Sequence, residues 1–359
     1  MKDSIITKTE VKKLNAELFM PFTISSGSHK SLANAAVKIQ NAGGVCGYGE
    51  APVATHITGE TVEQTEANLK AVCRDMEGLD AADYLKILHF IEDRLDNNRA
   101  AMTCLELAVL DLVCRMQKIS LWQYYGAAER EVRTDITVVI GSEEKARGFM
   151  KKTVSRFKDF KIKVGVDFDE DIKRLKVVRE AAPGARLIVD ANCAYSPEDA
   201  EKFFNELMRQ GIKPDIVEQP VKKNDFEGLK YLTEKLPLII CADESAYSLN
   251  DVFELIRRKC VKGINIKLTK LGFLRAREVW ALARSSGIKL MMGEMMESEL
   301  SSFAAAEMAG GLGGFDFIDL DTPFFLKDSP CPAGNLLSET GIYHIADVRE
   351  GTGIIPGIF

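Results

Sequence analysis

Histidine is scarce in this chain, with four among 359 residues. The eight cysteines include no Cys-x-x-Cys pair and none at ligand-like spacing from a histidine, which argues against a zinc site of the Cys/His kind. No apolar run nears the roughly 18 residues of a membrane span. Residues 1–8 lack the apolar core of a secretory signal. There is no long basic run, and a formal net charge of −6 speaks against nucleic acid or an anionic membrane as partner. The expectation is a reduced, cytoplasmic protein in which Cys104, Cys114, Cys193 and Cys241 serve as small hydrophobes.

The composition is that of an ordinary globular protein, long enough for one large domain or two moderate ones. In the first 60 residues, 11–18 and 35–39 read as strands of a meander. Gly43-Gly44 reads as a hairpin turn and 45–50 as the returning strand. Thr61-Val62-Glu63-Gln64 fits a capping box, so a helix starts there. The stretch 99–118, rich in Ala, Leu and Met, is a second helix. Together these make an α+β module over 1–125.

From Thr134 the pattern changes. Short apolar strands at 136–140, 160–164, 187–191, 215–218, 238–242, 264–268, 289–292 and 315–320 alternate with amphipathic helices. One helix, 196–209, has Pro197 at its first position. Strand–helix repeats of about 25 residues imply a parallel sheet, and about eight of them fit a closed barrel, here over 126–321. The segment 322–359 is expected to pack back onto the first module.

Five of these strands end in or beside a charge: Lys161 with Lys163, then Asp190, Glu218, Asp243 and Lys267. A buried parallel strand should be apolar, and a charge at its end is costly unless paired or metal-bound. One such charge per repeat points to an active site at one rim of a barrel. Neighbouring strands lie about 4.8 Å apart, so Asp190, Glu218 and Asp243 converge. A hard divalent cation such as Mg²⁺ relieves their repulsion and keeps ligand positions for substrate. The competing reading makes each acid a helix N-cap or a rim salt bridge.

Lys161 and Lys163, two apart on a strand, face the same side. At about 7 Å and an effective dielectric of about 20 they repel by roughly 2.4 kcal/mol. That moves a lysine from about 10.4 toward about 8.7, into the range of a general base. Lys267 lies four strands on, across the mouth of an eight-stranded barrel. Opposed lysines beside a metal suggest removal of a proton from a carbon next to a carboxylate and return of a proton to the other face. Lysines that merely neutralise the acids are the alternative.

At this point the residues resemble a known family. Lys161-x-Lys163, Asp190-Ala191-Asn192, Glu218-Gln219-Pro220, Asp243-Glu244-Ser245 and Lys267 are similar to the array of the enolase superfamily. The resemblance spans essentially the whole chain. It implies an α/β fold, a modified (β/α)7β barrel of the TIM type with an α+β capping domain, and Mg²⁺ on Asp190, Glu218 and Asp243. The pattern resembles the muconate-lactonizing subgroup rather than the mandelate racemase subgroup, whose late histidine base has no counterpart among His29, His56, His89 and His344. Asp319-Leu320-Asp321 resembles the motif with which dipeptide epimerases bind the substrate's α-ammonium. Carried over by position, Lys163 and Lys267 are the acid/base pair and Lys161 supports the enolate. Asn192 and Glu244 stand behind the metal ligands. Segment 293–298, with Glu294, Met295 and Met296, resembles the one whose backbone N–H groups hold the substrate carboxylate, and Thr134 with Asp135 matches a further family segment. The activity implied is an isomerase, a dipeptide epimerase with a small dipeptide as partner. A cycloisomerase or an o-succinylbenzoate synthase is the alternative, and a homo-oligomer is left open.

Two departures bear on specificity. The family often has Gly-Gly after the last catalytic lysine, where this chain has Gly272-Phe273, and Glu294 stands where a small or neutral residue is commoner. Both are expected to reshape the side-chain pocket. In the cap, the loop 25–30 offers His29 and Lys30 to an acidic side chain, which favours a dipeptide of the Ala-Glu type, whereas Glu294 would favour a cationic one. Solvated loop residues are the other reading of His29 and Lys30.

Overall fold

The computed structural model describes residues 2–25 and 27–359. Strands β1 (Ile6–Ile24), β2 (Gly27–Asn41) and β3 (Cys46–Ala51) form an antiparallel sheet in that order. The first two are longer than the sequence suggested. The expected loop at 25–30 is a tight hairpin end, with Thr23 opposite Ser28 and Ile24 opposite Gly27. Ser26 lies outside the described residues.

Helices α1 (Thr55–Thr58), α2 (Val62–Met76), α3 (Tyr84–Leu95), α4 (Arg99–Gln117) and α5 (Leu121–Tyr125) complete the cap. The Thr61 side chain accepts from the Gln64 N–H at 3.2 Å, so α2 starts where the capping signal placed it. Every residue of α4 from Ala100 to Cys114 is buried. The β3 backbone lies directly on α4, because a Cβ at Gly49 would stand 1.9 Å from the Cys104 carbonyl oxygen.

A short strand, β4 (Val132–Arg133), leads into eight parallel strands. They are β5 (Ile136–Val138), β6 (Asp159–Lys163), β7 (Arg186–Asp190), β8 (Ile216–Glu218), β9 (Ile240–Ala242), β10 (Gly263–Lys267), β11 (Lys289–Gly293) and β12 (Phe317–Asp319), adjacent in chain order. Between them run α6 (Glu143–Thr153), α7 (Phe168–Ala181), α8 (Pro197–Arg209), α9 (Phe226–Lys235), α10 (Leu249–Arg257), α11 (Leu268–Ser285) and α12 (Glu299–Leu312). Six of these helices start at a Ser or Asp whose side chain accepts from the first turn: Ser142, Asp167, Ser196, Asp225, Ser248 and Ser298. The exception is α11, which begins directly after Lys267 without such a cap.

The seam between β12 and β5 is stitched by side chains as well as backbone. Asp135 N–H donates to the Ile318 carbonyl at 3.1 Å, Leu320 N–H to Thr134 Oγ1 at 2.8 Å, and Thr137 N–H to Asp321 Oδ2 at 2.6 Å. The result is a nearly closed (β/α)7β barrel under an α+β cap. Low in the barrel, Ile188, Ile216, Cys241, Met291 and Phe317 form an apolar plug. Two residues on, the same strands or the turns that end them carry Asp190, Glu218, Asp243, Gly293 and Asp319. Strand period two therefore sets a charged layer directly above an apolar one. Beyond β12, β13 (Ile342–Tyr343) pairs with β4, and Thr352 N–H reaches Asp111 Oδ1 of α4 at 2.7 Å. Among the described residues no helix is long and apolar enough to cross a membrane.

Candidate active site

The charged layer is one connected network. Lys161 Nζ lies 2.6 Å from Asp319 Oδ2, 2.8 Å from Glu218 Oε2 and 3.0 Å from Asp190 Oδ2. Lys163 Nζ is 2.6 Å from the same Asp190 oxygen, and Lys267 Nζ is 2.9 Å from Asp243 Oδ2. Strands β6 and β10 are four steps apart in the barrel order, so Lys163 and Lys267 stand on opposite walls, as expected. All these side chains are buried.

A further lysine, Lys270, was not anticipated. It is wholly buried in the first turn of α11, where its Nζ contacts the Asp243 carbonyl at 2.5 Å, Asp243 Oδ1 at 2.7 Å and the Asn265 carbonyl at 3.1 Å. Asn265 in turn donates to Glu218 Oε1 at 2.8 Å. Its side chain fills the space where a Cβ on Gly293 would sit, at 2.7 Å, so the absence of a side chain at 293 is what lets Asn265 hold Glu218.

The electrostatics depart from the sequence argument. Burial works against the charge of Lys161, but Asp319, Glu218, Asp190 and Asp135 outweigh it and push its pKa well above the ordinary value. Lys267 is likewise raised, against burial, chiefly by Asp243. The expected depression from lysine–lysine repulsion is overridden because carboxylates surround these amines more closely than the amines face one another. Burial would raise Asp190, yet Lys163 and Lys161 pull it down to about 2. Glu218 moves the other way, to about 7, through burial and the neighbouring Asp190 charge.

The three expected metal ligands offer only carboxylate oxygens, a donor set suited to a hard dication. Glu218 Oε2 is buried and faces the Lys161 ammonium at 2.8 Å, and its pKa is raised by burial and then by the neighbouring Asp190 charge. In both respects the residues fit Mg²⁺. The three acids are not drawn into one tight cluster, however, because lysine ammonium groups stand between them. Among the described residues, the trio whose carboxylate oxygens all lie within 4.8 Å of one another is Asp135, Asp319 and Asp321.

Lys161, Lys163 and Lys267 line a cavity of about 460 Å³ between barrel and cap, together with Asn192, Asp319 and Asp321. Asn192 N–H donates to Asp190 Oδ1 at 2.9 Å, and its side chain reaches Glu244 Oε1 at 3.3 Å, so Asn192 links Asp190 to Glu244. The cap contributes an apolar roof of Phe22, Ile24, Val53, Ile57 and Val62, facing Met295 and Met296 of the barrel. The hairpin end touches the rim, where Ser25 Oγ meets the Asn192 carbonyl at 3.3 Å.

Several expectations change. His29, Ser31 and Ala33 alternate into the cavity, so Lys30 faces out and is exposed. Burial lowers the His29 pKa, which leaves it neutral near pH 7. No cap cation among the described residues therefore meets an acidic side chain. Glu294 lines the cavity, but its oxygens are taken by Ser302 Oγ at 2.5 Å and Thr322 N–H at 2.6 Å. Burial and then Glu297 push its pKa well up, which together with these two contacts works against a role as counter-ion for a cationic side chain. Thr134 closes the barrel seam outside the cavity lining, while Thr137, which was missed, faces the cavity. Met295 N–H is spent on Glu297 Oε1 at 2.9 Å. Gly272 and Phe273 lie outside the cavity lining, where a buried Glu106 of α4 accepts the Phe273 N–H.

Residues 6–126 match the N-terminal domain model of the mandelate racemase/muconate lactonizing enzymes, and residues 143–356 match the enolase C-terminal domain-like model. The chain belongs to the enolase superfamily. A hydrophobic dipeptide epimerase of Citrifermentans bemidjiense is 40% identical over 352 residues, 96% of this chain and 95% of that protein. Among solved superfamily structures, the dipeptide epimerase of Enterococcus faecalis V583 with Mg and L-Leu-L-Tyr superposes with a TM-score of 0.92. It has 32% identity and covers 98% of this chain and 99% of its own. A substrate-liganded L-Ala-D/L-Glu epimerase of Bacillus subtilis gives a TM-score of 0.94 at 30% identity, covering 98% and 99%. As a superfamily member whose relatives are epimerases, the chain is an enzyme of the isomerase class.

Proposed function

We propose that this enzyme is a Mg²⁺-dependent dipeptide epimerase that inverts the α-carbon of the C-terminal residue. Two apolar side chains form the preferred substrate class. The observation that carries the reading is a single cavity that holds opposed Lys163 and Lys267 beside Asp319 and Asp321, under an apolar roof. The hydrophobic dipeptide epimerase at 40% identity and the Leu-Tyr complex of a neighbour support it. The barrel, 126–321, performs the chemistry, while the cap, 1–125 with 322–359, selects the side chains.

Asp190, Glu218 and Asp243 would hold the Mg²⁺, which supplies positive charge to stabilise the enolate. Lys163 Nζ removes the α-proton from one face and Lys267 Nζ delivers one to the other, with the roles exchanged for the opposite epimer. Lys161 adds positive charge beside the enolate. The roof excludes water, which strengthens every charge interaction beneath it.

Incubation of a dipeptide library with the enzyme and Mg²⁺ in D₂O tests the reading by mass spectrometry. Deuterium at the α-carbon of apolar L-Xaa-L-Yaa substrates, with little in acidic or cationic ones, is expected. Dehydration of a cyclohexadiene carboxylate without any dipeptide exchange would replace it with a synthase.

A further inference from the structure

Behind the strand that carries Lys163 lies a buried ion pair that touches neither the cavity nor the metal ligands. Asp171 and Arg174, one turn apart on α7, are each 1% exposed, and Arg174 is one of the largest fully buried side chains. Two charges taken out of water rarely stabilise a fold more than an apolar pair of the same volume, so the retention of this pair needs another reason. Its contacts supply one. Arg174 Nη2 pairs with Asp171 Oδ1 and donates to the Lys163 carbonyl at 2.8 Å, while Nη1 donates to the Gly141 carbonyl at 3.0 Å. Asp171 Oδ2 accepts from the Gly165 N–H at 2.6 Å and from the Tyr195 hydroxyl at 3.4 Å. Between these, the Val164 N–H donates to the Asp190 carbonyl of β7 at 2.9 Å. The peptide unit that leaves Lys163 is therefore gripped on both sides, and the next one is gripped at its N–H.

Strand geometry explains why a side chain is needed there. In a parallel ladder a carbonyl and the N–H that follows it point to opposite neighbours. The Val164 N–H faces β7, so the Lys163 carbonyl faces β5, whose pairing with β6 ends at Val138 opposite Ile162. Without a ladder donor the buried carbonyl would be orphaned, and the guanidinium reaches across from α7 to satisfy it. Gly165 then turns the chain at a φ of +110°, where a Cβ would stand 2.3 Å from that of Ala194. The side chain of Lys163 has no comparable fixture. Its Nζ meets Asp190 Oδ2 at 2.6 Å, an oxygen that Lys161 shares at 3.0 Å and that belongs to one of the expected metal ligands. Its aim depends on where the backbone sets its Cα. Lys267 is anchored by a separate device, because Thr103 of the cap helix α4 donates to the carbonyl of the next residue, Leu268, at 2.8 Å.

We propose that Asp171 and Arg174 are positioning residues for one of the two bases, a clamp that fixes the end of β6 and with it the approach of Lys163 to the α-carbon. The inference deepens the two-lysine reading and rests on it for the reaction that the clamp serves. Because Lys267 is held elsewhere, loosening the clamp disables one face of the site and spares the other.

The test uses Arg174→Met in the Mg²⁺-loaded enzyme in D₂O, started separately from the two epimers of an apolar dipeptide. Deuterium at the α-carbon is counted in product and in recovered substrate. A misplacement of about 1 Å can slow a step by about 100-fold. The epimer whose α-hydrogen faces Lys163 should therefore lose that hydrogen about 10- to 100-fold more slowly than in wild type. The epimer that faces Lys267 should lose it at a little-changed rate, with the deuterium now returned to recovered substrate in place of inverted product. An equal fall for both epimers marks a merely structural pair and would overturn the clamp, as would wild-type behaviour of the variant. The double variant Asp171→Leu/Arg174→Met leaves no lone buried charge and serves where Arg174→Met does not fold. Failure of both to fold would also overturn a role confined to positioning. A second readout needs no turnover: trace acetylation of the lysines, read by peptide mass spectrometry. Lys163 should be labelled faster relative to Lys267 in the variant, as its ammonium is drawn away from Asp190, and an unchanged ratio would contradict the clamp. If wild type exchanges no dipeptide, the proposed activity fails while the labelling ratio still judges the clamp.

Discussion

Glu106 offers a test of how the cap is fastened to the catalytic barrel. It sits on the buried helix α4, where one oxygen accepts the Phe273 N–H just after α11 departs from helical geometry at Gly272. Thr103, one turn earlier, donates to the Leu268 carbonyl at 2.8 Å, so α4 grips both ends of the turn that follows Lys267. The other Glu106 oxygen is buried and unpartnered, and burial pushes its pKa from 4.5 to about 8. Below about pH 4.5 the group is protonated in both folded and unfolded chains. Between about 4.5 and about 8 the folded chain keeps a proton that the unfolded chain has released, so stability falls as pH rises. The slope approaches about 1.4 kcal/mol per pH unit, and the full window bounds the loss at roughly 5 kcal/mol. Glu106→Gln keeps an oxygen for Phe273 and removes the titration. Urea unfolding at pH 5, 6, 7 and 8 should show the variant gaining on wild type as pH rises. Subtracting the two curves removes other raised acids of the same sign, such as Glu299, moved to about 7 mainly by burial. Parallel curves over that range would refute the argument.

Other outcomes follow from the same contacts. Lys163→Ala and Lys267→Ala should each abolish net inversion, measured by chiral chromatography of the dipeptide. Lys270→Met should weaken Mg²⁺ binding by about 10- to 100-fold in titration calorimetry, because Asp243 loses the group that orients it. Gly293→Ala should lower Mg²⁺ affinity in the same assay, since its methyl displaces Asn265 from Glu218. His29→Arg should shift preference toward an acidic side chain, read as a kcat/KM ratio across dipeptides, because residue 29 faces the cavity and residue 30 does not.

The barrel and its acid and lysine ladder were legible because each charge interrupts an apolar strand, and such a breach in a buried strand requires a reason. Lys161, Lys163 and Lys267 were found in this way, and each lines the cavity. What stayed hidden depends on which strand meets which. Thr134 and Thr137 are alike in sequence, and only the β12–β5 seam separates a barrel stitch from a cavity wall. Lys30 and His29 could be told apart only once the supposed loop proved to be paired strand, where alternation assigns one residue to each side. Lys270 looked like an ordinary residue at a helix start. Glu106 did carry a signal, a carboxylate inside an otherwise apolar helical run, but its partner is more than 160 residues away. The pKa argument failed for a different reason. It weighed two lysines against each other and left out the acids around them.

The central claim, proton transfer between two opposed lysines, is tested most directly by the isotope content of the first product formed. An apolar L,L-dipeptide is turned over with Mg²⁺ in D₂O and sampled at a few per cent conversion. The account predicts that the inverted product carries one deuterium at its α-carbon from the outset, while recovered substrate remains largely protiated. Early product that retains the substrate's own α-hydrogen would mean that a single base serves both faces, and would contradict it.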